Sequence, residues 1–262
     1  MRPAALALVA LATAACDLPS SRELGTGPVV VASEPADGAT GVDRNGPFRF
    51  GFDRPIFPRD AHRGRVRIQS GARGAFVSVW LEPVARALSI ELEDGPLAPD
   101  VRYRMIAEGI HDLSLVPMAE PVEIVFGTGP DASPPSARTE TFEAVAPTLA
   151  RCASAGCHGA EAPALGLDLS SAEGIRATAI GVVAERSRVG TQADRPWHGA
   201  PTLAGLARID VVGGVGRPAQ SFLMYTLLEE GGAGHYEPLA DAPSREELLR
   251  LSYWIRAGAP TP

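Results

Sequence analysis

From residue 28 to residue 129 the apolar positions of this chain recur with a period of two, the spacing of half-buried strands. Val29-Val30-Val31 opens the series. Phe48-Arg-Phe-Gly-Phe52 places three aromatic rings on one face and leaves Arg49 on the other. Arg65-Val-Arg-Ile68, Phe76-Val-Ser-Val-Trp80, Ala87-Leu-Ser-Ile-Glu-Leu92, Val101-Arg-Tyr-Arg-Met-Ile-Ala107 and Val122-Glu-Ile-Val-Phe126 continue it. Short strands separated by Gly, Pro, Asp or Asn predict a β-sandwich.

After Gly129-Pro-Asp-Ala-Ser-Pro-Pro-Ser-Ala137, a stiff linker by composition, the period changes. Thr141 can cap a helix whose Phe142, Val145 and Leu149 share a face. Glu173 to Val183 and Ala219 to Glu229 also read as helices. The last helix is the clearest. Ser244-Arg-Glu-Glu247 forms a capping box ahead of Leu248, Leu251, Tyr253, Trp254 and Ile255, and Gly258 and Pro260 stop the helix.

The N-terminus has another texture. Met1-Arg2 is followed by the apolar run Ala4 to Ala15, which is shorter than the ~20 residues that cross a bilayer. Residues 1–15 therefore predict an export signal. Leu11-Ala-Thr-Ala-Ala-Cys16 resembles a bacterial lipoprotein signal, which implies lipidation at Cys16 and a membrane anchor. Residues 16–27 read as a tether. The formal charge of -7 is spread along the chain, and its basic residues are all Arg, without the clustered basic face that nucleic acid requires. Cys16, Cys152 and Cys157 are the three cysteines. If Cys16 carries lipid, the other two remain as a close pair in an oxidising compartment.

Ser33-Glu-Pro-Ala-Asp-Gly-Ala-Thr-Gly-Val42, Phe52-Asp-Arg-Pro-Ile56, Leu97-Ala-Pro-Asp-Val-Arg-Tyr103 and Phe126-Gly-Thr-Gly129 resemble bacterial Ig-like domains of the SbsA type. The resemblance covers residues 28–129 and implies a spacer or presenting module. His62 and His111 fall here and read as surface or turn residues.

Chemistry concentrates in Cys152-Ala-Ser-Ala-Gly-Cys157-His158-Gly159. Two thiols followed by an imidazole suit covalent haem attachment, in which the sulfurs add to the porphyrin vinyl groups and the His meets one face of the iron. The four small residues between the cysteines, rather than the usual two, form a loop that can bulge without striking the ring. Competing readings are a Cys152–Cys157 disulfide and a zinc site made by Cys152, Cys157, His158 and His235. A di-haem peroxidase would require a second attachment motif, which the chain lacks, and no Ser-His-Asp set or phosphate loop is visible.

The motif, together with Gly166-Leu-Asp-Leu169, Ala219-Gln-Ser-Phe-Leu-Met-Tyr225 and Trp254-Ile-Arg-Ala-Gly-Ala-Pro260, resembles the class I cytochrome c-like domains of bacterial exported lipoproteins. The resemblance implies an architecture of two domains, with residues 130–138 as linker and 139–262 as a small all-α cytochrome c domain. It implies one haem c, bound by Cys152 and Cys157 with His158 as proximal ligand, and an aromatic crossing between Phe142 and Tyr253 or Trp254. The family's distal Met-Pro pair is absent. His235 stands nearest that position, with Met224 as the alternative and His198 (beside Trp197) a further candidate, and so the distal ligand stays open. The resulting expectation is an electron-transfer lipoprotein of the cell envelope, facing the periplasm or the cell surface. It would bind iron through haem, serve redox partner proteins and catalyse no reaction. The contrasting expectation is a haem-free adhesin or scaffold protein with an Ig-like domain and a disulfide-stapled helical domain.

Overall fold

The computed structural model describes residues 25–134, 138–154, 157–188, 200–231, 233 and 241–262. Cys16, Trp197, His198 and His235 lie outside them.

The alternating segments form two facing antiparallel sheets. One is ordered β1 (Val30–Glu34), β2 (Phe48–Phe52), β6 (Ala87–Leu92) and β5 (Val77–Glu82). The other is ordered β4 (Arg73–Gly74), β3 (Val66–Ser70), β7 (Arg102–Ala107) and β8 (Val122–Gly127). Register places Phe48 opposite Ile90 and Phe50 opposite Leu88, and Phe48, Phe50 and Phe52 all point inward while Arg49 faces water. Ile68, Met105 and Phe126 fill the core from the second sheet. Each of the seven predicted strands is present, and the two-residue β4 is added to them.

The described parts of both predicted connecting segments, residues 25–27 and 130–134, lie against the sandwich. The Thr26 carbonyl accepts from Arg54 Nη1, and a side chain at Gly27 would collide with the Pro117 carbonyl. The backbone N–H of Ser133 donates to the Asp43 carboxylate, and Asn45 Nδ2 donates to the Ser133 carbonyl. His111 has a carboxylate partner, with Asp60 Oδ2 2.8 Å from its Nδ1, while His62 Nδ1 accepts from Gly64 N–H within a turn.

The remainder of the chain departs from the expected all-α domain. Its helices are α1 (Phe142–Ala150), α2 (Ala172–Thr178), α3 (Phe222–Leu228) and α4 (Arg245–Arg256), and only α4 exceeds three turns. Between them run 3-10 turns, the hairpin β9 (Val211–Val212) and β10 (Val215–Gly216), and β-bridges joining Ile180 to Ile209 and Ala207 to Ser221. The expectation of a separate all-α cytochrome domain is therefore corrected. Described residues form a molecule built mostly on the β-sandwich, with a few short helices tied to it by extended segments.

Helix α2 was expected to reach Val183 but stops at Thr178. There Thr178 Oγ1 donates to the Gly174 carbonyl, and Ile180 is drawn into a bridge. Helix α3 was expected from Ala219 but begins at Phe222, because Pro218–Gln220 forms a 3-10 turn and Ser221 is extended. Helix α4 carries the predicted capping box, with Ser244 and Glu247 bonding reciprocally.

The two halves interlock. Ala219 enters the sandwich core, and Val84 of the sandwich packs on the core of the second half. Tyr253 meets Trp80 edge-on at 6.1 Å, with Arg256 over the Trp80 ring at 3.9 Å. Arg86 Nη2 bonds Glu230 at 2.8 Å. Beneath this contact Glu82, 3% exposed, accepts from Ser252 Oγ at 2.8 Å and from Val84 N–H at 2.9 Å.

Burial raises the Glu82 carboxyl pKa more than its two hydrogen bonds and the charges of Arg256 and Arg245 lower it. The folded state thus holds this proton more tightly than the unfolded chain does. Its contribution to stability is most favourable below the ordinary glutamate range, and it falls as pH rises toward the raised folded value. Gln can keep the bond from Val84 N–H on its oxygen and donate its amide N–H to Ser252 Oγ in place of the bond it loses, without the charge. Glu82→Gln is expected to raise the Tm at pH 8 by about 2–4 °C and to leave it nearly unchanged at pH 4, a difference readable by thermal unfolding at the two pH values. Equal shifts at both would remove the charge from the explanation.

Candidate functional site

Cys152 lies just beyond the last turn of α1, which packs on α4 through Phe142 and Trp254, whose ring centroids are 6.3 Å apart. The expected crossing is thus made by Trp254, while Tyr253 turns to Trp80. Thr141 caps α1 through its Oγ1, as its position before the apolar face predicts.

The segment after α1 folds back on itself. The His158 N–H donates to the Cys152 carbonyl at 3.0 Å, and the Leu169 N–H to the His158 carbonyl at 2.8 Å. A Cβ at Gly159 would stand 2.9 Å from the Ala153 carbonyl oxygen, so the residue after His158 must be small for this turn to close. His158 Nδ1 lies 3.1 Å from the Leu167 carbonyl, an acceptor that fixes the proton on Nδ1 and leaves Nε2 as the nitrogen with a free lone pair. Burial lowers the His158 pKa, which favours the neutral ring. Cys152 and Cys157 are free thiols, and burial raises the Cys152 pKa. The disulfide that the haem-free reading called for is not formed.

Both sulfur-bearing residues and His158 line one cavity of about 330 Å³. Leu165, Leu167, Phe222 and Leu227 supply apolar walls, and Glu185, Arg186 and Arg208 bring charge. Met224 does not reach it. That side chain is fully buried in the adjoining core with Val145, Leu149 and Trp254, so the structure assigns it packing and not the proposed role of distal ligand. Arg208 was not recognised from the sequence. Its charge lies in Leu206-Ala-Arg208-Ile209, which belongs to no motif, and the carbonyls it bonds are 30 to 43 residues away.

Residues 25–128 match the family model of the bacterial Ig-like domain, and the first part of the chain is an Ig-like domain. Such a domain is consistent with an extracellular or cell-surface protein. Among solved structures, domains 1–6 of the surface layer protein SbsC are 18% identical, with 46% of this chain and 16% of that chain covered and a TM-score of 0.32. The N-terminal part of the bacterial S-layer protein SbsC gives the same identity and TM-score, with 27% of that chain covered. The alpha-2-macroglobulin of E. coli is 14% identical over 44% of this chain and 7% of that one, with a TM-score of 0.32. The chain thus spans less than a third of the length of each. No curated protein matches.

These findings correct the description of the chain as a cytochrome and a metal-binding protein. The family that matches is Ig-like and ends at residue 128. Among the described residues, no group of three or more His, Cys, Asp or Glu side chains could hold a metal ion, and His235 of the zinc reading lies outside them. The chemistry that the described residues of the second half offer is two thiols and one imidazole around an apolar space.

Proposed function

We propose that this is an exported envelope protein whose second half takes one covalently attached haem and exchanges single electrons with redox partner proteins. In this reading the Ig-like domain is the spacer, and a lipid on Cys16 is the membrane anchor. The observation that carries the proposal is the convergence of Cys152, Cys157 and His158 on one apolar cavity, with the sulfurs free and Nδ1 of the ring committed to the Leu167 carbonyl. The donor set fits. Each thiol can add across a vinyl double bond, forming one C–S bond while its hydrogen passes to the neighbouring carbon, so the addition needs neither oxidant nor leaving group. His158 then offers Nε2, and the leucines and Phe222 exclude water from a flat apolar ring. When bound, haem iron supplies reversible one-electron chemistry, and the protein tunes it through axial ligation and burial.

The test is mass spectrometry of the chain exported from a host that attaches haem, after denaturation in reductant. The expected result is a single added haem, lost in the Cys152→Ala/Cys157→Ala double variant. His158→Ala should keep the added mass but lose the low-spin absorption spectrum. A second reading, a haem-free envelope scaffold, is favoured by the family match, which covers the Ig-like part alone. A colourless protein with no added mass would decide for it.

A further inference from the structure

Arg208 is the feature of the cavity that the thiols and the imidazole leave unexplained. Its side chain is only 7% exposed, yet the guanidinium meets no carboxylate among the described residues. Nη1 donates to the Gly166 carbonyl at 2.8 Å and the Thr178 carbonyl at 2.6 Å, and Nη2 donates to the Leu165 carbonyl. Of its five N–H groups, these bonds use three. The acid whose charge acts on it is Glu185, which is paired to Arg188 at 3.0 Å. Backbone bonds hold Arg208 in place, since its N–H donates to the Val182 carbonyl and its own carbonyl accepts from Leu223 N–H. A buried cation with no counter-ion among the described residues is costly there, and carbonyl dipoles offset that cost only in part. Here the cation borders an apolar cavity large enough for a ligand.

We propose that Arg208 is the anion anchor of this cavity and holds a carboxylate of a flat, apolar, acid-bearing ligand. This rests on the reading of the cavity as a porphyrin site and adds to it the group that selects for the porphyrin's acid edge. The three carbonyl bonds fix the guanidinium plane before the ligand arrives, so little side-chain entropy is lost on binding. Burial removes competing water, and a carboxylate there gains a charge-assisted bond.

The experiment uses the full chain, produced without haem and kept reduced, titrated with iron-free protoporphyrin IX and with its dimethyl ester. Binding is followed by quenching of tryptophan fluorescence. The diacid is expected to bind about ten- to a hundred-fold more tightly than the ester. Arg208→Gln should bring the ratio of diacid to ester affinity to about one, whatever it does to the ester itself, and Arg208→Lys should keep part of the preference. Circular dichroism checks that the variants fold. If Arg208→Gln does not fold, Arg208→Lys and the diacid-to-ester ratio of the unaltered chain decide. Equal binding of the two porphyrins by the unaltered chain, or a preference that survives Arg208→Gln, overturns the anchor and leaves the porphyrin site standing. Binding of neither porphyrin overturns both.

Discussion

Trp254→Ala is expected to destabilise the protein by about 3–5 kcal/mol, the range for emptying a filled aromatic site in a core. Trp254 is fully buried on the inner face of α4, against Phe142 and among Val145, Leu149 and Leu251. Its Nε1 donates to the Pro260 carbonyl at 2.9 Å, which holds the chain end against the helix. Truncation removes the ring, opens a cavity and frees that carbonyl, although Pro260 is exposed and water can satisfy it. The larger loss is therefore packing. Trp254→Phe, which keeps most of the ring and loses the hydrogen bond, should cost far less. Urea unfolding followed at 222 nm measures both, and a loss below 1 kcal/mol for the Ala variant would contradict the account. Because α1 rests on this ring and leads directly to Cys152, the same variant should also speed reaction of Cys152 with a thiol reagent.

Elements that carry a regular period of burial, or their own cap and stop, are the ones legible from the sequence. The strands announce themselves by alternation because one face of each is buried, as Phe48, Phe50 and Phe52 show against Arg49. Helix α4 is legible for the same reason. Its cap and its stop lie within it, and its apolar stripe follows the helical period. What escaped is held by distant partners. His111 finds Asp60 across 51 residues, and Arg208 finds the Leu165 carbonyl across 43. The expected all-α domain failed because bridges at Ile180 and Ser221 end α2 and start α3, and no local residue encodes those pairings. One signal was available and unused. Val211-Val-Gly-Gly-Val215 is two short apolar runs around a Gly-Gly pair, the pattern of a tight hairpin.

Within the candidate site, the motif identifies the reactive atoms but not the space they face. Cys152, Cys157 and His158 are adjacent in the chain, so their proximity is guaranteed by sequence. The cavity is assembled by residues from 164 to 227, and the His158 ring is oriented by a carbonyl nine residues on, beyond the turn formed at Leu165 and Gly166. Both residues of that turn have positive φ (54° and 67°), and Arg208 bonds both of their carbonyls. A left-handed Leu is unfavourable unless its surroundings enforce it. Arg208 is thus placed to hold the turn that presents Leu167 to the imidazole as well as to face the cavity.

That hairpin carries the second large effect. Gly216, in β10, is expected not to tolerate even Ala, because a Cβ there would lie 1.5 Å from the Ile255 carbonyl oxygen and 2.5 Å from its carbon. These are backbone atoms in the last turn of α4, so no rotamer change relieves the contact. Either the hairpin lifts away or the end of the helix unwinds. Overpacking of this kind costs about 3 kcal/mol, and more where backbone meets backbone. Val215, the neighbouring residue, is 61% exposed, and Val215→Ala should change stability by no more than about 0.5 kcal/mol. The pair of variants therefore separates close approach from strand propensity within a single hairpin. The damage should also reach the cavity. Arg217 follows Gly216 directly and its N–H bonds the Asp210 carbonyl, and the 3-10 turn after it leads into α3, which contributes Phe222, Leu223 and Leu227 to the apolar wall. Gly216→Ala is accordingly expected to lower the urea midpoint and to weaken porphyrin binding together, whereas Val215→Ala should alter neither. Unchanged stability in the Gly216 variant would show that the hairpin does not sit against α4.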